Sequence, residues 1–208
     1  MKRCILIVLS VFAAFLQLSA QIEVLKGVKA GLNIAYFGDS DDPSSYPTTT
    51  QYAFGAFVEL KILNRFSIEP ECFYSIKGSN EIVTGLKLAS TSSSPVTERL
   101  GYLEIPVLLK YNLPPSEPNL CVYAGPSVAF LLDGKAKTEG PTGTLEMDIL
   151  SQRAGTDFGF VVGTGVAIPT GLIDATLDVR YELGLTKVNI GAGKLYNRVL
   201  TVLLGVSL

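Results

Sequence analysis

The stretch Ile173–Gly184, with the sequence IDATLDVRYELG, alternates strictly between two kinds of side chain. Its odd positions are apolar or aromatic, and the even positions up to Glu182 are charged or polar. Successive side chains of a β-strand point to opposite faces of the sheet, so this alternation predicts a long strand with one apolar and one charged face.

The same period of two recurs along most of the chain. It is clearest in Lys26–Phe37, Gln51–Ile62 and Arg65–Lys77. Four further segments at about 98–111, 119–132, 156–168 and 197–208 bring the number of predicted strands to eight. Most of these strands exceed the five or six residues typical of soluble sheets, and they match the roughly 9–11 residues that cross a bilayer at a tilt.

The connections between these strands alternate between short and long. Short turns are predicted around Asn64, at 112–118 and at Pro169–Gly171, and longer loops at 38–50, 78–97, 133–155 and 185–196. Membrane barrels have brief periplasmic turns and longer outer loops. The predicted fold is therefore all-β, an eight-stranded up-and-down antiparallel transmembrane β-barrel.

Periodicity alone does not decide which face of the barrel lies inside, because a soluble lipocalin-like barrel also alternates. Charged residues make up only 17% of the chain, against about 25% in an ordinary soluble domain. The polar face also mixes glycine with charges of both signs, as expected for a narrow, self-paired interior. We therefore expect the apolar face to point outward into lipid.

Two groups of residues follow from this orientation. The aromatic side chains near the outer ends of the strands are expected to form an interfacial girdle of Tyr36, Tyr52, Tyr102, Phe130 and Tyr196. The charged residues on inward positions are expected to form an interior polar network of Lys29, Glu59, Lys61, Glu69, Glu71, Asp174, Asp178, Arg180 and Glu182. Within it, we expect Arg180 to be shared by several carboxylates.

The first twenty residues are predicted to be a cleaved signal peptide. Lys2 and Arg3 form a short basic region, an apolar run follows, and Leu18–Ala20 ends it with a small residue. The predicted organisation is thus a signal peptide at residues 1–20 and one barrel domain at 21–208, exported to the outer membrane of a Gram-negative bacterium.

Several classes of site are not expected. The chain contains no histidine, which excludes every mechanism that depends on an imidazole, and known outer-membrane barrel hydrolases and acyltransferases rely on one. The segment Gly191–Lys194 lacks the residues that complete a phosphate-binding loop. Cys72 and Cys121 fall on opposite faces and are expected to remain unpaired. We predict no catalytic residue, cofactor or metal site, and no nucleic-acid partner.

Three motifs carry a family resemblance. Residues 27–33 (GVKAGLN), 102–111 (YLEIPVLLKY) and 180–185 (RYELGL) resemble strands of the small outer-membrane β-barrel proteins of the porin-like, PorT-type family of the Bacteroidota. The resemblance spans essentially the whole predicted mature chain, and it implies an outer-membrane barrel. The chain departs from the family pattern at its last residue, where Leu208 replaces the usual aromatic residue.

The sequence is compatible with three functional hypotheses. The leading one is a non-enzymatic barrel with a side-chain-filled interior, whose outer loops are available for binding or structural roles. The second is a narrow solute or ion pore, and the third is a soluble lipocalin-like ligand-binding barrel. The partners expected for the leading hypothesis are outer-membrane lipid, the barrel-assembly machinery during biogenesis and a surface or envelope protein.

Overall fold

The computed structural model describes residues 23–39, 48–63, 65–82, 95–114, 119–140, 143–188 and 195–208. The predicted signal peptide lies outside these residues. No helix in the described part of the chain has the length and apolarity needed to cross a membrane. The strands are β1 Glu23–Asp39, β2 Thr49–Leu63, β3 Phe66–Ile82, β4 Pro95–Asn112, β5 Asn119–Gly140, β6 Gly143–Asp148, β7 Thr156–Pro169, β8 Asp174–Gly184 and β9 Leu195–Ser207.

Eight of these strands form a closed antiparallel barrel. Each pairs with its sequence neighbour in the ring, β5 pairs with β7, and β1 pairs with β9 to close the sheet. The short connections lie at one end of the barrel, which we call the turn end, and the long ones at the other, which we call the loop end. The predicted eight-stranded up-and-down barrel is confirmed.

The orientation of the strands follows the predicted alternation. Val28, Leu32, Phe54 and Leu204 point outward and are between 52% and 66% exposed. Charged residues on the alternate positions are buried within the ring, with Glu69 at 0% exposure. An apolar outer wall around a charged interior is the arrangement of a membrane barrel and the reverse of a soluble lipocalin.

The segment predicted as a loop at 133–155 is the largest departure from expectation. Strand β5 continues to Gly140 and turns into β6, so that Lys135–Gly140 pairs with Gly143–Asp148 as a hairpin. The stretch of β5 that pairs with β7, Asn119–Phe130, already rises roughly 30 Å at a strand tilt of about 40°. That rise exceeds the roughly 25 Å apolar band of such barrels, so the hairpin stands beyond the membrane.

Strands β3 and β4 are also longer at the loop end than predicted. Strand β3 runs to Ile82 and β4 starts at Pro95, which narrows the loop predicted at 78–97. The polar composition of both extensions concealed them, because above the membrane a strand no longer needs an apolar outer face. The alternation that identified the spanning strands therefore ends where the lipid ends.

Close packing explains a glycine-rich stretch inside β7. A Cβ atom at Gly163 would lie 2.6 Å from ring carbons of Tyr123 on the neighbouring strand. The absence of a side chain there lets the buried Tyr123 ring lie flat against the wall of the barrel.

The two cysteines of the barrel are free thiols, as predicted. Cys72 is exposed on the outer wall and Cys121 is buried in the interior. We expect mass spectrometry of the unreduced protein to show both as thiols, because side chains on opposite faces cannot reach disulfide geometry. A native Cys72–Cys121 bond would contradict the orientation of β3 or β5.

Candidate functional site

The centre of the barrel interior is held by Lys29 on β1. Its Nζ lies 2.8 Å from Glu69 Oε1, 3.1 Å from Glu71 Oε1 and 3.3 Å from Asp178 Oδ2. The same ammonium lies 4.4 Å from the centroid of the Phe57 ring. One buried cation is therefore shared by carboxylates from β3 and β8, two strands on different sides of the lumen.

Lys110 on β4 extends this layer towards the turn end. Its Nζ lies 2.7 Å from Glu69 Oε2 and 2.8 Å from Glu59 Oε2. Glu59 also accepts a hydrogen bond of 2.6 Å from the Ser67 hydroxyl. Glu69 thus bridges two lysines, which ties β1, β2, β3 and β4 together through charge-assisted hydrogen bonds.

A second cluster lies nearer the loop end. Lys77 donates hydrogen bonds of 2.7 Å to both oxygens of Glu182, and its Nζ lies 3.1 Å from Glu104 Oε2. Ser127 adds a donor to Glu182 at 3.3 Å. These contacts join β3, β4, β5 and β8 across the lumen.

Arg180 lies between the two clusters. Its Nη1 lies 2.5 Å from Glu71 Oε2, and its guanidinium lies 4.7 Å from the centroid of the Phe73 ring. Lys29, Lys77 and Lys110 each lie within ion-pair distance of two or three carboxylates, whereas among the described residues Arg180 makes its ion pair with Glu71. The expectation that several carboxylates would share Arg180 is therefore wrong, because lysines on β1, β3 and β4 pair with most of the carboxylates of the lumen.

Neutral polar side chains complete the interior. Asn33 donates to the Ser75 hydroxyl at 3.0 Å and to the Ile76 carbonyl at 2.9 Å, and it accepts a hydrogen bond of 2.9 Å from Thr201. Asn197 donates to Asp157 at 2.7 Å. Buried polar groups are costly unless they are paired, so these bonds stabilise the filled lumen.

The predicted interior residues occupy two environments. Seven of them, Lys29, Glu59, Glu69, Glu71, Asp178, Arg180 and Glu182, are buried in the lumen. Lys61 and Asp174 instead line the open mouth at the turn end, where Lys61 pairs with the exposed Glu23 at 2.8 Å. Sequence reasoning omitted five buried charged residues among those described, Lys77, Glu98, Glu104, Lys110 and Asp157. All of them lie inside the predicted strands on inward positions, so applying the alternation to every strand would have found them.

The turn end of the lumen is an open cavity of about 680 Å³. Arg65 and Asn112 lie at its mouth, and Lys29, Phe57 and Cys121 lie at its inner limit. The cavity therefore stops at the first ion-pair layer.

The loop end is closed by an apolar plug. Phe37, Leu100 and Tyr102 pack there with Ile149, which follows β6, and Val188, which follows β8. Ile149 donates to the Gly134 carbonyl at 2.9 Å and Val188 to the Leu195 carbonyl at 2.8 Å, which fixes both segments over the lumen. Next to the plug, Arg153 pairs with both oxygens of Glu98.

Tyr102 does not belong to the aromatic girdle in which it was predicted. It is 0% exposed and points into the lumen, where Lys77 Nζ lies 5.4 Å from its ring centroid. Its even number puts it on the same face of β4 as Glu104 and Lys110. Its position near the end of a strand was therefore a poorer guide than its place in the alternation.

The other four girdle residues lie on the outer wall. Tyr52 and Phe130 are 46% and 41% exposed, and Tyr36 and Tyr196 are half-buried. The Tyr36 hydroxyl lies 3.0 Å from that of Tyr181. Aromatic rings with one polar edge suit the boundary between lipid and water.

The hairpin above the barrel has two unlike faces. Glu146 lies 2.9 Å from Lys135 Nζ and 3.1 Å from Lys137 Nζ on one face. Hydrogen bonds from these two lysines lower the pKa of the Glu146 carboxyl. On the other face, Leu145 and Met147 are 66% and 57% exposed. The hairpin is thus an ion-paired strand pair that presents apolar side chains to solvent.

Several solved structures match most of this chain at low sequence identity. Neisserial surface protein A shares 14% identity over 88% of this chain and 96% of its own, with a TM-score of 0.47. Ail, the attachment invasion locus protein of Yersinia pestis, shares 12% over 89% and 97%, with a TM-score of 0.42. The N-terminal β-barrel domain of Pseudomonas aeruginosa OprF shares 7% over 89% and 97%, with a TM-score of 0.38. No curated protein sequence matches this chain.

The sequence itself matches a family described as "Outer membrane protein beta-barrel domain" over residues 15–189. This match locates the barrel in the outer membrane. Because such barrels have short periplasmic turns and longer outer loops, we place the turn end in the periplasm and the loop end outside the cell. The finer PorT-type assignment stays a prediction. Since the match covers well over half of the chain, the protein belongs to the family of outer membrane protein β-barrel domains.

Proposed function

We propose that the protein is a non-enzymatic, non-conducting barrel that holds a binding surface on the outside of the cell. The observation that carries this proposal is the filled lumen. A solute entering from the periplasm would meet the Lys29 layer, then the Lys77 cluster, and then the plug around Tyr102. Eight strands enclose a space that side chains can fill, which matches this arrangement.

The interior charges support a structural role. Every carboxylate that could serve as an acid or base in the Lys29 layer already has a cation within ion-pair distance: Glu59, Glu69, Glu71 and Asp178. A general acid or base must reach a substrate as well as hold a suitable pKa. Glu69 and Glu71 do not line the open cavity, whereas Glu59 and Asp178 line it with their carboxylates held by Lys110 and Lys29. The chain offers no histidine as an alternative.

The outer surface supports the binding role. Exposed Leu145 and Met147 stand beyond the membrane on a hairpin whose other face is fixed by ion pairs. Exposed apolar side chains in water, outside any need to contact lipid, are a common mark of protein interaction sites. The hairpin is therefore the part of the described surface that we assign to partner binding.

Single-channel recording in planar lipid bilayers tests the closed lumen. We expect no stable conductance from the wild-type protein and none from Lys61→Ala, which changes only the periplasmic mouth. Arg153→Ala should loosen the plug without opening a path, because both ion-pair clusters remain below it. A steady conductance that changes in Lys77→Ala would favour the narrow pore instead.

A further inference from the structure

The hairpin ends in strand β6, one side of which pairs with no described strand. Strand β6 is the last in the order of the sheet and pairs with β5 alone among the described strands. The amide of Ile149 donates to the Gly134 carbonyl at 2.9 Å, in register with the pair Ala136–Met147 two residues earlier. In an antiparallel ladder every second residue bonds to the same neighbour, so the odd-numbered residues of β6 bond to β5.

The even-numbered residues of β6 consequently point their backbone groups the other way. Thr144, Glu146 and Asp148 present a row of N–H and C=O groups to the open side of the strand, and all three are exposed. The spacing of such a row matches the backbone of another extended chain. An uncovered edge of this kind is a template for an added strand.

From this edge we propose that β6 binds an extended polypeptide segment of another protein, which adds to the sheet as a further strand. This inference rests on the proposed function and names its partner. Backbone hydrogen bonds would supply affinity, and the side chains on the two faces would supply selectivity. On one face the segment would cover Leu145 and Met147, which favours apolar residues at alternate positions.

The opposite face of β6 determines which residues the bound segment should carry between its apolar ones. Glu146 is already paired with Lys135 and Lys137, and Asp148 makes no ion pair among the described residues. Opposite charges facing each other across two strands stabilise the pair. The segment that fits best therefore alternates apolar residues with basic or neutral polar ones.

A second copy of the chain does not fit this edge. Two barrels in one membrane share the same outward direction, and barrel strands tilt by about 40°. A two-fold axis along the membrane normal would therefore cross their β6 strands at about twice that tilt, which is too steep for a ladder of hydrogen bonds. A symmetric pair of identical strand edges must be antiparallel, and this arrangement does not bring them so. The occupant is therefore a segment of a different protein.

The test uses the full barrel folded in lipid nanodiscs. The probes are three labelled eight-residue peptides that alternate valine with lysine, threonine or glutamate, and affinity is measured by fluorescence anisotropy. We expect the lysine peptide to bind most tightly and a version with alternate backbone N-methyl groups to lose binding. Slower amide exchange at Thr144, Glu146 and Asp148 would locate the bound peptide on the free edge.

A matched pair of variants separates the backbone from the side chain. Glu146→Pro removes an edge N–H that makes no bond to β5, whereas Glu146→Ala keeps it. We expect Glu146→Pro to weaken binding roughly tenfold or more relative to Glu146→Ala. Equal affinities of the two variants, or no saturable binding of any peptide by the wild type, would overturn strand addition.

The two proposals fail in different ways. Heat-modifiable migration on gels serves as the control that Glu146→Pro and Glu146→Ala both fold as barrels. A wild-type protein that conducts ions refutes the closed barrel. One that neither conducts nor binds the peptides refutes strand addition alone.

Discussion

Replacing Lys29 by methionine should lower the free energy of unfolding of the barrel by about 3–5 kcal/mol. Methionine preserves most of the packing against Phe57, so the change chiefly removes the charge. Glu69, Glu71 and Asp178 would then share the lumen without the cation that contacts all three. Breaking a buried ion pair from one side is costly because the remaining charges stay buried.

Lys61→Met is the matched control for this experiment. Lys61 also pairs with a glutamate, but the side chains of Lys61 and Glu23 are 35% and 62% exposed. Solvent screens such a pair, and its loss should cost no more than about 1 kcal/mol. Unfolding by guanidinium chloride in detergent, monitored by circular dichroism, measures the free energy of unfolding of both variants. Equal destabilisation would show that the interior ion pairs add little to stability.

Arginine in place of Val179 should reduce the stability of the folded barrel in lipid by about 2–4 kcal/mol. Val179 is 39% exposed on the outer wall and lies between Thr164 and Val202 in the middle of the paired strands. A guanidinium there would face the hydrocarbon core with no counter-charge. Refolding into lipid vesicles over a urea titration measures the loss.

Thr176→Arg supplies the comparison on the same strand. Thr176 points inward and lines the periplasmic cavity of about 680 Å³ together with Asp174 and Asp178. An arginine there has space, water and two carboxylates, so we expect a much smaller effect on refolding. If the two arginine variants refolded equally well, the assignment of the inner and outer faces of β8 would be wrong.

The parts of the fold that were predictable are those that the membrane imposes on local sequence. Because Ile173–Gly184 must face lipid on one side and the lumen on the other, its alternation is visible without any partner strand. The same argument located Lys29, Glu69, Glu71 and Arg180 on the inward face. For Tyr102 the prediction was wrong because its position near a strand end was preferred to its place in the alternation, which puts it on the inward face.

The hairpin was not predictable in this way. Lys135, Lys137, Glu146 and Asp148 stand in water, where neither face of a strand has to be apolar. Without that constraint, period-two patterning fades and a polar strand looks like a loop. The binding surface that we assign to β6 was hidden for the same reason.

The sequence by itself determined the number of spanning strands, their alternation and the face on which each charge lies, because these depend on the environment of single strands. Only the tertiary structure decided which charges meet. Lys29 on β1 contacts Asp178 on β8 because closing the ring of strands brings distant segments together across the lumen. Strand register and barrel closure set those distances, and both depend on all the pairings at once.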